Sequence, residues 1–203
     1  MQILALSGAI ASGKNFIADI LAQKLDCQVF DADKEVHDIY QNDQKIILQI
    51  KSHFDKVYED GKINRQELSK IIFDNPKKLK VLEDIIHPQI RKNYQEFLKK
   101  SKANNAKFVI LNIPLLLEKG GYVYDKLISI TIYPSVQKKR FIARAKKKGQ
   151  RDMEFLSKKF REIQERQLHN QDRKKDADFI VNTSFSKKQT KDQIDHVLAV
   201  LTG

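Results

Sequence analysis

Cysteine is almost missing from this sequence. Cys27 is the sole one in 203 residues, so no internal disulfide can form and the fold has to rest on its core. Long apolar runs are missing as well, and none approaches the roughly 20 residues of a membrane span. No charged-then-apolar leader precedes Ile3. These absences lead us to expect a soluble, cytoplasmic protein with no membrane partner. Acid is in short supply: 26 aspartates and glutamates face 38 lysines and arginines, a formal charge of +12. That excess points either to a polyanionic partner (nucleotide, phosphorylated metabolite, RNA or membrane surface) or to a lysine-rich solvated surface. No aromatic-rich RNA-reading motif appears, so no nucleic-acid partner is expected. Internal repeats and long low-complexity linkers are absent too. What remains is 41 % hydrophobic residues, enough for one sizeable domain or a core with an insertion.

The order of patterns along the chain sets the fold class. "QILALS" (2–7) reads as a buried strand ending at a small-residue loop. "NFIADILAQKL" (15–25) carries Ile17, Ile20, Leu21 and Lys24 at helical spacing, and "QVFDAD" (28–33) is a second strand ending in two aspartates. Strand, loop, helix, strand predicts a right-handed βαβ unit and a parallel sheet. From about Lys34 to Lys102 the patterns turn helical, with no convincing buried strand: helices are predicted over 45–54, 64–73 and 76–100. Asn64 with Glu67 is a cap-like pair, and Pro76 suits a helix start. Pro88 predicts a kink or break near His87. Strands at 107–113, 126–133 and 177–182 then alternate with helices at 135–148, 152–167 and 187–201. The class is therefore α/β, with five parallel strands interrupted by a helical insertion.

The residues best suited to chemistry begin in "SGAIASGKNF" (7–16), which nearly matches G-x-x-x-x-G-K-[ST] between a strand and a helix. Gly8 and Gly13 let backbone N–H groups turn inward, and the following helix points its positive end at the same spot. Ala11, Ser12, Gly13, Lys14, Asn15 and Phe16 thus form a candidate ATP-binding turn, with Lys14 reaching the terminal phosphates. The loop resembles that of P-loop NTPases, so a P-loop NTPase core is expected. Asn15 stands where a hydroxyl would ligate Mg²⁺, and its amide oxygen is a hard neutral ligand one atom farther out. Asp31 and Asp33 close the second strand, where ligands gather in an open parallel sheet. They are candidates to hold metal-bound water and to deprotonate an attacking hydroxyl; capping of the following helix by Asp33 is the other reading. Residues 138–151 hold eight lysines and arginines and no acid. Arg140 and Arg144 share a helical face and could clamp a migrating phosphoryl group, and Gly149 supplies the hinge a lid needs.

Taken together, these residues resemble the dephospho-coenzyme A kinase family of P-loop kinases. The blocks that carry the resemblance are "GAIASGKN", "DADKEVH", "GKINRQELSKIIF", "LEDIIHPQI", "IPLLLEKG", "PSVQKKRFIAR" and the span from Gln167 to "DFIVN" ending at Asn182. The resemblance implies transfer of phosphate from ATP, with Mg²⁺, to the ribose 3′-hydroxyl of dephospho-CoA. It implies a nucleotide-binding core over 1–36 and 104–203, a helical substrate domain over 37–103, and a helical lid at about 137–152. By the same resemblance Asp33 is the general base, Lys14 a phosphate ligand and Arg140 the stabiliser of the transferred group. Arg144 would assist on the ATP side, Arg65 and His87 would bind the substrate, and Asn182 would lie near the adenine.

Two positions depart from the family pattern. Asn15 replaces its hydroxyl residue, and Asn112 stands where aspartate is common. Both changes remove metal-side groups, leaving Asn15 and Asp31 as the candidate ligands and Glu118 as a remaining acid. A working but slower kinase is expected. The alternatives are another nucleoside monophosphate or small-molecule P-loop kinase, or a weakened relative that binds nucleotide or RNA.

Overall fold

Leu4, Ala5 and Leu6 are completely buried, because the strand that carries them lies at the centre of a sheet. This computed structural model describes residues 1–73, 75–147 and 149–203. Strand β1 (Gln2–Gly8) leads through a loop into α1 (Lys14–Leu25), β2 (Gln28–Asp31) and α2 (Ala32–Asn42). Next come α3 (Gln44–His53), the short hairpin β3 (Tyr58–Glu59) and β4 (Lys62–Ile63), α4 (Arg65–Phe73) and α5 (Pro76–Ala103). The chain continues through β5 (Phe108–Asn112), α6 (Leu116–Lys119), β6 (Lys126–Thr131) and α7 (Pro134–Lys147). It ends with α8 (Met153–Glu165), α9 (Asn170–Lys175), β7 (Phe179–Asn182) and α10 (Lys187–Thr202). Two compact units result: Met1–Phe30 with Asn105–Gly203, and Asp31–Asn104.

The first unit is built on a five-stranded parallel sheet in the order β2-β5-β1-β6-β7. Register is firm at the centre, with Leu6 opposite both Asn112 of β5 and Ile128 of β6. Parallel strands are buried on both faces, which is why they read as near-continuous apolar runs. Leu4 and Leu6, two apart on β1, share one face. They join Ile128 and Ile130 of β6 and the inner sides of α1 and α10 in one apolar cluster. Phe141 of α7 and Phe160 of α8 form a smaller cluster, their ring centroids 5.2 Å apart. Cys27 is half-buried; burial first, and the Asp26 charge second, push its thiol up to about 11, so it stays protonated at neutral pH.

The second unit is helical around Ile47, Ile50, Phe54, Ile63 and Leu68, all nearly inaccessible. Asn93 of α5 donates to Glu35 of α2 at 2.7 Å. Asn64 caps α4 as expected, its Oδ1 accepting from the N–H groups of Gln66 and Glu67. Glu67 does not complete a capping box, since its carboxylate pairs with Lys70.

Several sequence expectations are corrected here. The middle region holds no long buried strand, but it does add a short, mostly exposed ladder pairing Tyr58 with Ile63 and Glu59 with Lys62. It is too short to leave a period-two signature. Of the kink or break expected near His87, the break does not occur: helix α5 is continuous through Pro88. A proline removes one i→i−4 bond, and the buried Leu82, Ile86, Ile90 and Tyr94 on both sides hold the helix together. Strand β2 stops at Asp31 rather than Asp33, so the two aspartates lie on different elements. The short helices α6 and α9 had no periodic signal to betray them. Lys148, the last residue of the helix expected over 135–148, lies outside the described residues. Among the described residues no helix is long and apolar enough to cross a membrane.

Asp178 pins the entry of β7 to β6. Its carboxylate accepts from Lys126 Nζ and from the Leu127 N–H, both at 2.8 Å. The Lys126 hydrogen bond first, and the Leu127 N–H second, hold its carboxyl below the usual carboxylate range. A depressed folded-state pKa contributes stability that is fully present above the unfolded value, about 3.9, and is lost as pH falls through the folded value. Asp178→Asn should therefore lower the melting temperature at pH 7. The gap to the parent protein should close as the pH is taken below about 4 in a series of thermal melts.

Candidate active site

The loop after β1 is shaped by two glycines with different tasks. A Cβ on Gly8 would stand 2.6 Å from Ser12 Oγ and 3.1 Å from Ile130 Cβ, so no side chain fits. Gly13 has φ +90°, in the left-handed region that favours glycine, and Ala11 is also left-handed at φ 58°. Gly13 holds the N-cap position of α1 and supplies no side-chain cap. The first intrahelical bond runs from Ile17 N–H to Gly13 C=O at 3.2 Å. The N–H groups of Lys14, Asn15 and Phe16 therefore lack acceptors within the helix and sit at its positive end. A turn of this kind is suited to an anion. Lys14, half-buried at the first helical position, adds a full positive charge.

Other elements hold the remaining polar groups of the loop. Thr183, just after β7, donates its hydroxyl to Ser12 C=O at 2.6 Å. Arg140 of α7 donates through Nη1 to Thr183 Oγ1 at 3.1 Å and through Nη2 to Thr183 C=O at 2.6 Å. The same Nη1 lies 3.9 Å from where a Cβ on Gly13 would be. Arg140 thus stands at the loop, whereas Arg144 one turn later is exposed. Gly149 (φ +85°) follows α7, and the Gln150 N–H returns to Ala145 C=O at 3.1 Å. It acts here as a helix stop. Asn182 organises the turn after β7: its Oδ1 accepts from Ser184 N–H at 2.9 Å, and its backbone exchanges two hydrogen bonds with Gln193.

The two positions that depart from the family pattern touch each other. Asn112 Nδ2 donates to Asn15 Oδ1 at 3.2 Å, across 97 positions of sequence. The pair is neutral, and Asn112 is buried at the carboxyl end of β5. An amide oxygen has two acceptor sites. Asn15 Oδ1 therefore keeps a hard-oxygen site for a cation beside the Asn112 bond, and the donor chemistry fits Mg²⁺. Among the described residues no group of three or more histidines, cysteines, aspartates or glutamates converges.

Glu118 is committed to structure. Its Oε1 accepts from Arg173 Nη2 at 2.5 Å and from the Leu168 N–H at 2.9 Å. Arg173 is only 2 % exposed and also donates to Ser7 Oγ and Leu168 C=O. Burial pushes the guanidinium pKa down, and Glu118 opposes that. Nothing local hints at this pair, because a lone arginine in a basic tail looks like one more surface charge.

The other candidates belong to the second unit. Asp31 Oδ1 accepts from the N–H groups of Asp33 and Lys34 at 3.0 and 3.2 Å, so Asp31, not Asp33, caps α2. Asp33 is left exposed as the second residue of that helix. Arg65, at the start of α4, has Nη1 3.5 Å from His37 Nδ1. Burial pushes the Tyr40 phenol up to about 12, with the Arg65 charge opposing. His87 lies half-buried on α5, immediately before Pro88. His37 was not among the expected site residues, although it closes the quoted "DADKEVH" block.

The family model for dephospho-CoA kinase matches residues 2–189. A dephospho-CoA kinase of Bartonella quintana is 37 % identical over 200 residues, covering 98 % of this chain and 97 % of that protein. One from Bradyrhizobium diazoefficiens is 34 % identical, covering 98 % and 95 %. The solved dephospho-CoA kinase from Campylobacter jejuni superposes with a TM-score of 0.63 at 26 % identity, covering 98 % of this chain and 96 % of that one.

Removing one partner of the Glu118–Arg173 pair leaves a charge buried alone. Glu118→Ala should cost about 3–5 kcal/mol in urea unfolding, and the double change Glu118→Leu with Arg173→Met should recover most of it.

Proposed function

The chain belongs to the dephospho-CoA kinase family, and from that premise we propose how its residues divide the reaction. It is an ATP-dependent kinase that phosphorylates the ribose 3′-hydroxyl of dephospho-CoA to give CoA, the last step of CoA biosynthesis. The comparisons lend no support to another small-molecule kinase or to an RNA-binding relative. The observation that carries the mechanistic reading is the uncapped turn at the start of α1, flanked by Lys14 and Arg140.

In this reading the N–H groups from Ala11 to Phe16 hold the phosphates of ATP, and Lys14 takes the terminal ones. Asn182 lies toward the adenine. The 3′-oxygen of dephospho-CoA attacks the γ-phosphorus, the bond to the β–γ bridging oxygen breaks, and ADP leaves. Asp33 accepts the proton of the hydroxyl. Its backbone is fixed by the Asp31 cap, and a carboxylate in the first turn is favoured by the helix dipole. Arg140, preorganised on Thr183, faces the charge that spreads over the transferred group. Arg144 joins it from a lid at about 137–152, and residues 37–103 form the substrate domain, with Arg65 and His87 binding dephospho-CoA. Mg²⁺ enters with ATP, and Asn15 and Asp31 are the residues that would hold it; Asp31 shares its carboxylate with the cap of α2. When bound, the ion neutralises charge on the β and γ phosphate oxygens. The reading includes the cytoplasmic location expected from the sequence.

Asp33→Asn should cut turnover by about 10²–10⁴-fold while ATP binding, followed by calorimetry, stays near that of the parent. Loss of ATP binding together with turnover would instead give Asp33 a structural task. Asn15→Thr restores a hydroxyl and should lower the Mg²⁺ concentration for half-maximal turnover. It should also tighten Mn²⁺ binding to the complex with an ATP analogue, read by spin resonance, with the melting temperature unchanged. If neither the Mg²⁺ dependence of turnover nor Mn²⁺ binding moves, Asn15 lies outside the metal shell.

A further inference from the structure

Ile10, inside the phosphate loop, is gripped at both backbone groups by side-chain amides from far along the chain. Its N–H donates to Gln167 Oε1 at 2.9 Å, and its C=O accepts from Gln137 Nε2 at 2.9 Å. Gln137 belongs to α7 and is only 3 % exposed. Its own Oε1 accepts from Gln164 Nε2 of α8 at 3.3 Å. Gln167 follows Arg166, the C-cap of α8, and its N–H returns to Gln164 C=O. The Ile10 and Ala11 side chains pack against the Phe141–Leu156–Phe160 cluster that joins the same two helices.

A trans peptide is planar, with C=O and N–H pointing in opposite directions. Drawing Ile10 C=O toward Gln137 therefore turns the Ala11 N–H the other way. Thr183 does the same to the next-but-one peptide, drawing Ser12 C=O one way and turning the Gly13 N–H the other. Between them lies Ala11, at an unfavourable φ of 58° that a chain without these anchors would relax.

We propose that Gln137 and Gln167 are positioning residues for ATP: Gln137 orients the Ala11 amide toward the phosphates, and Gln167 holds the Ile10 amide one peptide earlier, so that together they tie the loop to helix α7 and the segment after α8. The proposal rests on the reading that the amides of Ala11 to Phe16 hold those phosphates. Chemistry fixes the polarity of each contact: the N–H of Ile10 needs an oxygen and its C=O needs a donor. A carboxylate can therefore replace Gln167 but not Gln137.

Q137E, Q137M, Q167E and Q167M should be compared with the parent by calorimetric titration with a non-hydrolysable ATP analogue and by steady-state kinetics with dephospho-CoA. Q137M, Q137E and Q167M should weaken analogue binding by about tenfold or more, while Q167E stays within about threefold of the parent. The KM for dephospho-CoA should change less than about twofold, since its binding does not use the loop amides. Equal loss in Q167E and Q167M, or parallel rises in both substrates' constants, would overturn the proposal. Should the buried Gln137 variants fail to fold, the Q167E and Q167M comparison decides alone. Failure of the parent itself to bind the analogue would instead overturn the reading of the loop.

Discussion

Helix α1 begins without a side-chain cap, and much of the first unit's organisation follows from that. Its first amides need an acceptor from outside the helix, and an anion in the bend of the preceding loop is a ready one. For the bend to exist, Gly8 must leave room for Ser12 Oγ and Gly13 must take a left-handed conformation. For the bend to hold its shape, the carbonyls of Ile10 and Ser12 must be drawn outward, which Gln137 and Thr183 do. Arg140, holding Thr183, brings positive charge to the same place. Burial of β1 at the sheet centre gives the loop a rigid base.

Acids are outnumbered by bases in this chain, and several carboxylates serve its architecture. Glu118 neutralises a buried arginine, Asp31 caps α2 and Asp178 pins two strands. A carboxylate with a structural partner is less available for catalysis. Asp33, exposed in the first turn of α2, is the member of the aspartate pair not used as the cap. The neutral Asn15–Asn112 contact fits the same economy. A charged residue at Asn112 would be buried at the end of β5, where burial is costly without a cation beside it.

The five core strands were legible in the sequence because buried parallel strands are short apolar runs bounded by loops. The phosphate loop was legible from Gly8, Gly13 and Lys14. Asp33 was placed at the end of the strand, with capping as its other reading, because strand and helix-cap readings compete over a D-A-D triplet. Only the two amide hydrogen bonds to Asp31 settle which residue starts the helix. Of the kink or break that local propensity foresaw at Pro88, the break is absent, because packing along both halves of α5 outweighs one missing hydrogen bond. Gln137 and Gln167 stood in plain view inside family blocks without a task, since nothing local shows that they meet over Ile10.

By itself the chain determined the order of strand, loop and helix, the anion-binding turn and the family, because each depends on neighbouring residues or on motifs kept in register. Tertiary structure alone decided the partners: Asn15 with Asn112, Arg173 with Glu118, Thr183 with Ser12, and the two glutamines with Ile10. Each of these contacts joins residues dozens to more than a hundred positions apart. Such hydrogen bonds carry no periodicity, so they become visible only once burial of the sheet has brought their elements together.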